Sequence, residues 1–309
     1  MGESHLIYCM KRILTIALCL AASLSAFAQT KDYNFDLAAF SAVNISDEFV
    51  ATISAGESNS LILTVDEVLR DYVSINVKNG QLNVSVDSKN IPSDVRKMYK
   101  GKNTPTPTYK VNIVASQPVS TINLKNKSSL EGASGVLASD SFTLNLSDNA
   151  KVATLAVEST EVILNLSGKA DAGVDARCES LSVNQSGASS LKLSATAKKG
   201  VVNVSGASDI VSDGIILDLD FSIKGTSKAV LNGTSDNAAF TCAGTTITNA
   251  VNFAVTNASV LMSGMCSLTE AASSKLKVEL SGGSTLVFDN DPAIEIVSVK
   301  SATLTHYGK

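Results

Sequence analysis

Five asparagines recur along the middle of the chain, each flanked by residues of mostly apolar character. They are separated by 22, 20, 19 and 19 positions: Asn123, Asn145, Asn165, Asn184 and Asn203. Side-chain amides that stack at one position of successive repeats can hydrogen-bond to one another. The same row could instead offer a flat polar face to the hydroxyl groups of a glycan. Because most repeated positions serve stacking, we expect mutual hydrogen bonds first, with glycan binding as the alternative.

A second candidate site is the stretch 90–108, which holds three of the five prolines and is locally basic. Its candidate binding residues are four cations, a methionine and a tyrosine: Arg96, Lys97, Met98, Tyr99, Lys100 and Lys102. Loops carried by a rigid scaffold often bind ligands. Loops of this length are also often mobile, solvated insertions. Both interpretations stay open, and we expect an excursion from the surrounding strands in either case.

Three pairs of aspartates have the even spacing that places two side chains on one face of a strand. These pairs are Asp171 with Asp175, Asp209 with Asp213, and Asp218 with Asp220. Paired carboxylates can bind Ca²⁺ or act as the two acids of a glycosidase. A sugar site also needs aromatic platforms, and the chain has no Trp. We therefore expect no catalytic residue, no metal and no cofactor, and keep a carbohydrate-active enzyme as the alternative function.

Composition excludes several other classes of protein. The 309 residues carry a net charge of −4, which gives no basic field for nucleic acid, and only two histidines for catalysis or metal binding. Three cysteines follow the N-terminal segment, namely Cys178, Cys242 and Cys266. Their odd number and the absence of a CxxC pair favour small buried residues over a disulfide framework. A single bridge between Cys242 and Cys266 is the less favoured alternative.

The N-terminus has the three parts of a secretory signal peptide over residues 1–28. Met10-Lys11-Arg12 is a positive start, residues 13–24 are apolar, and Ala26-Phe27-Ala28 is an A-x-A cleavage site. Residues 1–9 look like a mis-assigned start upstream of Met10. We expect export to the periplasm or the cell surface, with no transmembrane segment in the mature chain.

The elements that carry these residues follow from a repeat of about 20 residues, which predicts a solenoid. Polar and apolar residues alternate within each repeat, so the repeats consist of short strands rather than helices. The sequence therefore predicts an all-β fold, a parallel β-helix or β-solenoid with about 20 residues per coil. We expect one such domain over residues 29–309, interrupted by the excursion at 90–108.

The alternation also fixes which side chains point inward. Leu166 is predicted to lie in the core between Leu146 and Gln185, and Asn165 is predicted to point outward. The N-terminal third is less regular. There, Asn79-Gly80 predicts a hairpin between two strands, and a short helix is expected at 66–71.

The motifs resemble those of a known bacterial family. The chain opens with FDLAAFSAVNISDEFVATISAGES, continues with NGQLNVSV, and repeats LNLSGKA, VNQSGAS and VNVSGAS. These motifs are similar to those of the putative autotransporter adhesins with a head GIN domain. The resemblance implies a right-handed parallel β-helix on the cell surface or in the periplasm, and it brings no catalytic residues.

Taken together, the residues and the resemblance predict an exported, non-enzymatic adhesin or surface-binding protein. Its partner would be a glycan or an extracellular or envelope protein, with no role for nucleic acid. A purely structural envelope protein is the second alternative, after the carbohydrate-active enzyme.

Overall fold

The computed structural model describes residues 29–134 and 137–307, and the chain is 68% strand and 4% helix. Coils of roughly 19 residues stack into a β-solenoid of about 10 turns. At ~4.8 Å per coil, this stack is roughly 48 Å long. The predicted all-β solenoid and its repeat length are confirmed. The predicted signal peptide, residues 1–28, lies outside the described residues.

Eight long strands form the regular part of the stack, and each pairs in parallel with the next. They are β10 (Leu137–Leu146), β11 (Lys151–Leu166), β12 (Asp171–Gln185), β13 (Ser190–Val204), β14 (Asp209–Ile223), β15 (Lys228–Gly244), β16 (Ile247–Gly264) and β17 (Ser267–Ser281). Buried and exposed residues alternate along each strand, as the sequence pattern predicts.

Inward side chains stack on their counterparts one coil away and form a continuous apolar core. Leu166 is 2% exposed, and its register partners are Leu146 in the preceding coil and Gln185 in the next. Gln185 is also buried, and its Nε2 donates to the Ser189 and Asp209 carbonyl oxygens at 2.9 and 2.8 Å. The predicted inward position of Leu166 is therefore correct.

The recurring Ser-Gly dipeptides form the turns that follow Asn165, Asn184 and Asn203. Gly187, with φ +79°, shows why glycine recurs: a Cβ there would lie 2.6 Å from the Gly168 carbonyl oxygen. Two residues further on, a small side chain turns into the core. Ser208, for example, is fully buried, and its Oγ donates to the Ser205 carbonyl oxygen at 2.9 Å. This bond satisfies the hydroxyl that the turn buries.

The N-terminal third is built from shorter strands and two short helices. The strands are β1 (Thr30–Asp36), β2 (Ala42–Ile45), β3 (Val50–Ala55), β4 (Ser60–Asp66), β5 (Val73–Lys78), β6 (Gln81–Val86), β7 (Tyr109–Ala115), β8 (Thr121–Leu124) and β9 (Ser129–Ser134). A 3₁₀-helix (Glu67–Tyr72) joins β4 to β5, and the α-helix α1 (Ser93–Met98) lies between β6 and β7.

Antiparallel pairs are mixed into these first coils, as expected. β5 and β6 form the predicted hairpin, whose turn residues Asn79 and Gly80 have φ +52° and +72°. Strand β4 pairs antiparallel with both β1 and β7. Positive φ at both turn residues is what a two-residue hairpin requires.

Chain order and spatial order differ at this end of the stack. Strand β2 lies between β6 and β8, and β3 lies between β7 and β9. Strand β2 is thus inserted beside strands that follow 39 and 79 residues later, and β3 beside strands that follow 60 and 79 residues later. The periodic sequence pattern does not reveal this insertion.

The C-terminal coil consists of three further strands: β18 (Thr285–Phe288), β19 (Ala293–Lys300) and β20 (Thr303–His306). β18 and β19 both pair in parallel with β17, and β20 pairs with β18.

Candidate functional site

The predicted row of asparagines is a continuous hydrogen-bonded ladder. Nδ2 of each amide donates to Oδ1 of the amide one coil closer to the N-terminal end of the stack. The Nδ2···Oδ1 distances are 2.7 Å for Asn145 to Asn123, 2.8 Å for Asn165 to Asn145, 3.0 Å for Asn184 to Asn165 and 3.2 Å for Asn203 to Asn184. We call this row the asparagine ladder.

Three further asparagines extend the asparagine ladder and were missed by the sequence reasoning: Asn44, Asn83 and Asn76, to which Asn83 Nδ2 donates at 3.3 Å. Asn123 donates to Asn44, and Asn44 Nδ2 donates to Asn83 Oδ1 at 2.8 Å. The signal was present in the sequence, because Val43-Asn44-Ile45 and Leu82-Asn83-Val84 share the motif of the later repeats. The other end of the ladder is set by Asn203, whose partner in the next coil is Ser222.

A shallow groove of about 430 Å³ runs beside the asparagine ladder. It is lined by the amides and by outward serines, with Lys125 at one end. Two of these serine hydroxyls already form hydrogen bonds within the protein. Ser167 and Ser205 donate to backbone carbonyl oxygens of the preceding coil at 3.3 and 3.1 Å. Each amide still has one N–H donor and one oxygen lone pair that the asparagine ladder does not use. The arrangement stabilises the stack, and its glycan-binding role stays a prediction.

The stretch 90–108 contains the helix α1, which sequence reasoning did not identify. Arg96, Lys97, Lys100 and Lys102 are exposed, and none of them forms an ion pair within residues 29–134 and 137–307. We call residues 93–102 the basic protrusion. The four cations are therefore available to an external ligand.

The basic protrusion is anchored to the end of the stack. The Tyr99 hydroxyl donates to Asp66 Oδ2 at 2.9 Å, and the Thr108 amide donates to the same oxygen at 3.2 Å. Thr30 Oγ1 donates to Asp66 Oδ1 at 3.2 Å, and Asp66 is 1% exposed. At the start of the stretch, Ile91 is buried in the core. The basic protrusion is therefore held by Ile91 on its N-terminal side and by the bonds to Asp66 on its C-terminal side. A freely mobile insertion would lack such contacts.

This anchoring divides the six predicted binding residues into two groups. The four cations face solvent, whereas Met98 and Tyr99 are half-buried. Burial, together with the hydrogen bond to Asp66, raises the pKa of Tyr99. The hydroxyl therefore stays protonated and remains a donor within the protein. The binding role predicted for the exposed part of Tyr99 stays a prediction.

A cavity of about 320 Å³ lies at the base of the stretch, lined in part by Ile91, Pro107 and Tyr109. Burial and the neighbouring Glu48 carboxylate raise the pKa of Tyr109 to about 12. Asp47, also in the lining, accepts the Val86 amide at 2.8 Å. The polar groups of this cavity are thus engaged in holding the first coils together.

The predicted aspartate pairs are all exposed, and two of the six side chains bond to neighbouring coils. Asp213 accepts from Asn232, and Asp218 accepts from Asn237, both at 2.8 Å. Within the described ranges, no group of three or more His, Cys, Asp or Glu side chains is arranged to bind a metal ion. The aspartates that do bond therefore contribute to stacking, as the asparagines do.

One family of proteins accounts for most of the chain. The sequence pattern of the family described as putative auto-transporter adhesin, head GIN domain, matches residues 39–218 and again 196–292. The chain belongs to this adhesin family. The resemblance carried by the Asn-x-Ser-Gly repeats is confirmed. No curated protein sequence matches the chain significantly.

Several solved structures are similar to this adhesin-family chain over 90% of its length. A putative adhesin from Parabacteroides distasonis has 15% identity and a TM-score of 0.48, with 97% of its own chain covered. A putative adhesin from Parabacteroides merdae has 16% identity and a TM-score of 0.46, with 95% covered. A putative lipid binding protein from Parabacteroides distasonis has 15% identity and a TM-score of 0.46, with 96% covered.

The cysteines of this family member are free thiols, as the favoured expectation stated. Cys266 Sγ donates to the Cys242 and Ser263 carbonyl oxygens, both at 3.3 Å, and both cysteines are buried. Burial raises the pKa of Cys242 to about 12 and that of the half-buried Cys178 to about 11. Thiols with such pKa values are poor nucleophiles at neutral pH.

None of the helices in the described part of the chain has the length and apolar character needed to cross a membrane.

Proposed function

We propose that this adhesin-family protein is an exported, non-enzymatic binding protein that contacts its target through the basic protrusion. The observation that carries the proposal is the set of four unpaired cations at Arg96, Lys97, Lys100 and Lys102, fixed to the solenoid through Asp66. Export follows from the signal-peptide pattern at residues 1–28, and the destination is the periplasm or the cell surface.

Anchoring favours binding because it lowers the entropic cost of ordering the protrusion. A mobile loop would lose its backbone freedom only when the ligand binds, at about 1–2 kcal/mol for each residue that becomes ordered. In this protein the helix α1, the buried Ile91 and the bond from Tyr99 to Asp66 fix the backbone in advance. The backbone that carries the cations is therefore preorganised.

The chemistry of the four cations selects a negatively charged ligand. The chain as a whole has a net charge of −4, so the protrusion is a local positive patch on an acidic protein. An acidic glycan suits this patch, because spaced carboxylates along a flexible polymer can each meet a cation. Such binding weakens as salt rises, since exposed charges are screened.

The position of Glu270, the carboxyl group with a raised pKa, supports the non-enzymatic part of the proposal. Glu270 has a raised pKa, yet it is 0% exposed and is enclosed by the core. A general acid must reach its substrate. Of the predicted pairs, Asp218 and Asp220 line an open groove of about 560 Å³, where both carboxylates are exposed and Asp218 already accepts a hydrogen bond from Asn237.

Binding of polygalacturonate, an acidic glycan, tests the proposal, with neutral dextran as the comparison. One variant replaces the four cations by Ala, and a matched control replaces four exposed rod lysines by Ala: Lys151, Lys169, Lys192 and Lys228. We expect the first variant to lose at least about tenfold in affinity and the control to stay within about twofold.

Two results would count against the basic protrusion. Unchanged polygalacturonate binding by the four-cation variant would exclude it as the binding site. Preference for dextran would favour the groove beside the asparagine ladder instead. Export is tested separately by N-terminal sequencing of the protein recovered from the cell envelope, where a mature start at Gln29 is expected.

A further inference from the structure

The two ends of the solenoid are finished in different ways. At the N-terminal end, β1 is the last strand of its sheet, and it carries the charged residues Lys31 and Asp32. The Arg70 guanidinium covers the Tyr33 and Phe35 rings, at 5.1 and 5.2 Å from their centroids. Charges on an edge strand and a covered apolar face prevent further strands from adding there. This end is capped.

At the C-terminal end, no other part of the described residues packs over the inward side chains of β19. Ile294, Ile296 and Val299 occupy the positions that Leu276, Val278 and Leu280 occupy in the preceding coil. Those three earlier residues are each 0% exposed, whereas Ile294 is 42%, Ile296 60% and Val299 39% exposed. The last coil thus leaves its inward side chains accessible to water.

The backbone of β19 is equally unpartnered on its outer side. Among residues 29–134 and 137–307, β19 pairs with β17 alone, so its other edge has free N–H and C=O groups. The strand has eight residues, contains no proline, and carries charge only at Glu295 and Lys300. An exposed apolar edge of this length is a template for strand addition.

We propose that this edge pairs with the same edge of a second copy of the chain, with the two β19 strands antiparallel about a two-fold axis. The axis would pass between Ile296 and Val297. Ile296 of one copy would then face Val297 of the other, and Ile294 would face Val299. Val297 is 51% exposed, so all four residues have apolar surface to bury.

The charges of β19 agree with this register. Glu295 of one copy lies opposite Ser298 of the other and diagonal to Lys300, within reach of a long side chain. The Glu295 carboxylate already forms ion pairs with Lys275 and Lys277 of its own chain, with N···O distances of 2.9 and 3.1 Å. These pairs hold the Glu295 side chain on the outer face. Lys300 is exposed and would add a third cation to Glu295 from across the axis.

The difference between the ends also determines the kind of assembly. A head-to-tail contact would join β19 to β5, the strand that begins the same row of stacked strands, and β5 presents half-buried Ile75 and Val77 and the charged Lys78 instead of an open apolar face. A two-fold contact uses the open edge twice and leaves both capped ends outside. Such an isologous interface closes after two copies, so the expected product is a dimer rather than a filament.

Light scattering coupled to size-exclusion chromatography tests this dimer with the mature chain. We expect a wild-type mass near that of two chains, falling toward one chain on dilution. Ile296→Lys places a charge at the axis and should weaken the dimer at least about tenfold. Val201→Lys is the matched control, because Val201 is 44% exposed in the middle of the rod, and it should leave the dimer unchanged.

Hydrogen exchange then locates the contact. Amides of residues 293–300 should become more protected as protein concentration rises, while those of residues 30–36 should not change. Lys300→Glu, which places two carboxylates together, should also weaken the dimer, without affecting the fold of this exposed position. A wild-type monomer at high concentration, or concentration-dependent protection away from residues 293–300, would overturn the proposal.

Discussion

The Tyr99 hydroxyl donates a 2.9 Å hydrogen bond to Asp66 Oδ2, a carboxyl oxygen that is buried under the first coils and also accepts the Thr108 amide. This bond joins the basic protrusion to the stack. Tyr99→Phe removes the hydroxyl and keeps the ring, so it should lower the free energy of unfolding by about 1.5–3 kcal/mol, the range for a bond to a charged group.

Urea unfolding measures this loss, and hydrogen exchange of residues 93–98 should become faster in the same variant. Tyr72→Phe is the matched control, because Tyr72 is also half-buried and its hydroxyl has no hydrogen-bond partner among the described residues. Equal effects of the two substitutions would show that Asp66 does not anchor the protrusion.

The inward position of Leu166 gives a second prediction. Leu166→Asp places a carboxylate between Leu146 and Gln185 in an apolar column, which should cost several kcal/mol, about 3–5. Asn165→Asp changes the outward neighbour. It removes one donor of the asparagine ladder, so it should cost about 1 kcal/mol. Similar shifts in thermal unfolding for the two variants would contradict the register.

The regular coils could be predicted from the sequence because their contacts repeat at a short, constant separation. Asn165 meets Asn145 and Asn184, which lie 20 and 19 residues away, so the spacing itself predicts the contact. Alternation then separates Leu166 from Asn165. Fold class, repeat length and the direction of each side chain all follow from these two periodicities.

The N-terminal coils could not be predicted in the same way because their contacts are far apart in sequence. Asn44 donates to Asn83, 39 residues away, and accepts from Asn123, 79 residues away. No local pattern specifies such an insertion of β2 between β6 and β8. The anchoring of Tyr99 by Asp66 is likewise a tertiary contact, and α1 has only six residues, too few for a helical period to appear.

The glycine at position 233 supports a third prediction. Its φ is +114°, and a Cβ there would lie 1.8 Å from the Gly214 carbonyl oxygen, a fixed atom of the neighbouring coil. Gly233→Ala should therefore lower the free energy of unfolding by about 2–4 kcal/mol.

Gly132→Ala is the comparison for this substitution. Beyond its two chain neighbours, a Cβ at Gly132 would meet no atom of the described residues within 4 Å, and its backbone is not left-handed. This variant should stay within about 0.5 kcal/mol of the wild type in urea unfolding. If both variants unfold alike, the close approach of Gly233 and Gly214 is not a feature of the folded chain.

The buried carboxyl group of Glu270 makes stability depend on pH. Glu270 is 0% exposed, and neither of its oxygens has a hydrogen-bond partner of full geometry within the described residues, although the nearby Ala272 amide partly offsets the rise in its pKa. Burial, and to a smaller extent the nearby Asp289, raises its pKa from 4.5 to about 7. The folded state thus prefers the protonated form, so this stabilisation is complete below about pH 4.5. It is lost as pH rises through about 7.

Glu270→Gln isolates this contribution, because glutamine has the same shape and does not titrate. The free energies of unfolding of both proteins are measured in urea at pH 4.5, 6 and 8. The groups that the two proteins share titrate alike, so their effects cancel when one free energy is subtracted from the other. A pKa raised by about 2.5 units predicts that the wild type loses roughly 3 kcal/mol relative to the variant over this range. A difference that stays constant with pH would mean that Glu270 is hydrated or paired in the folded protein, and that the last coils are more open than their packing indicates.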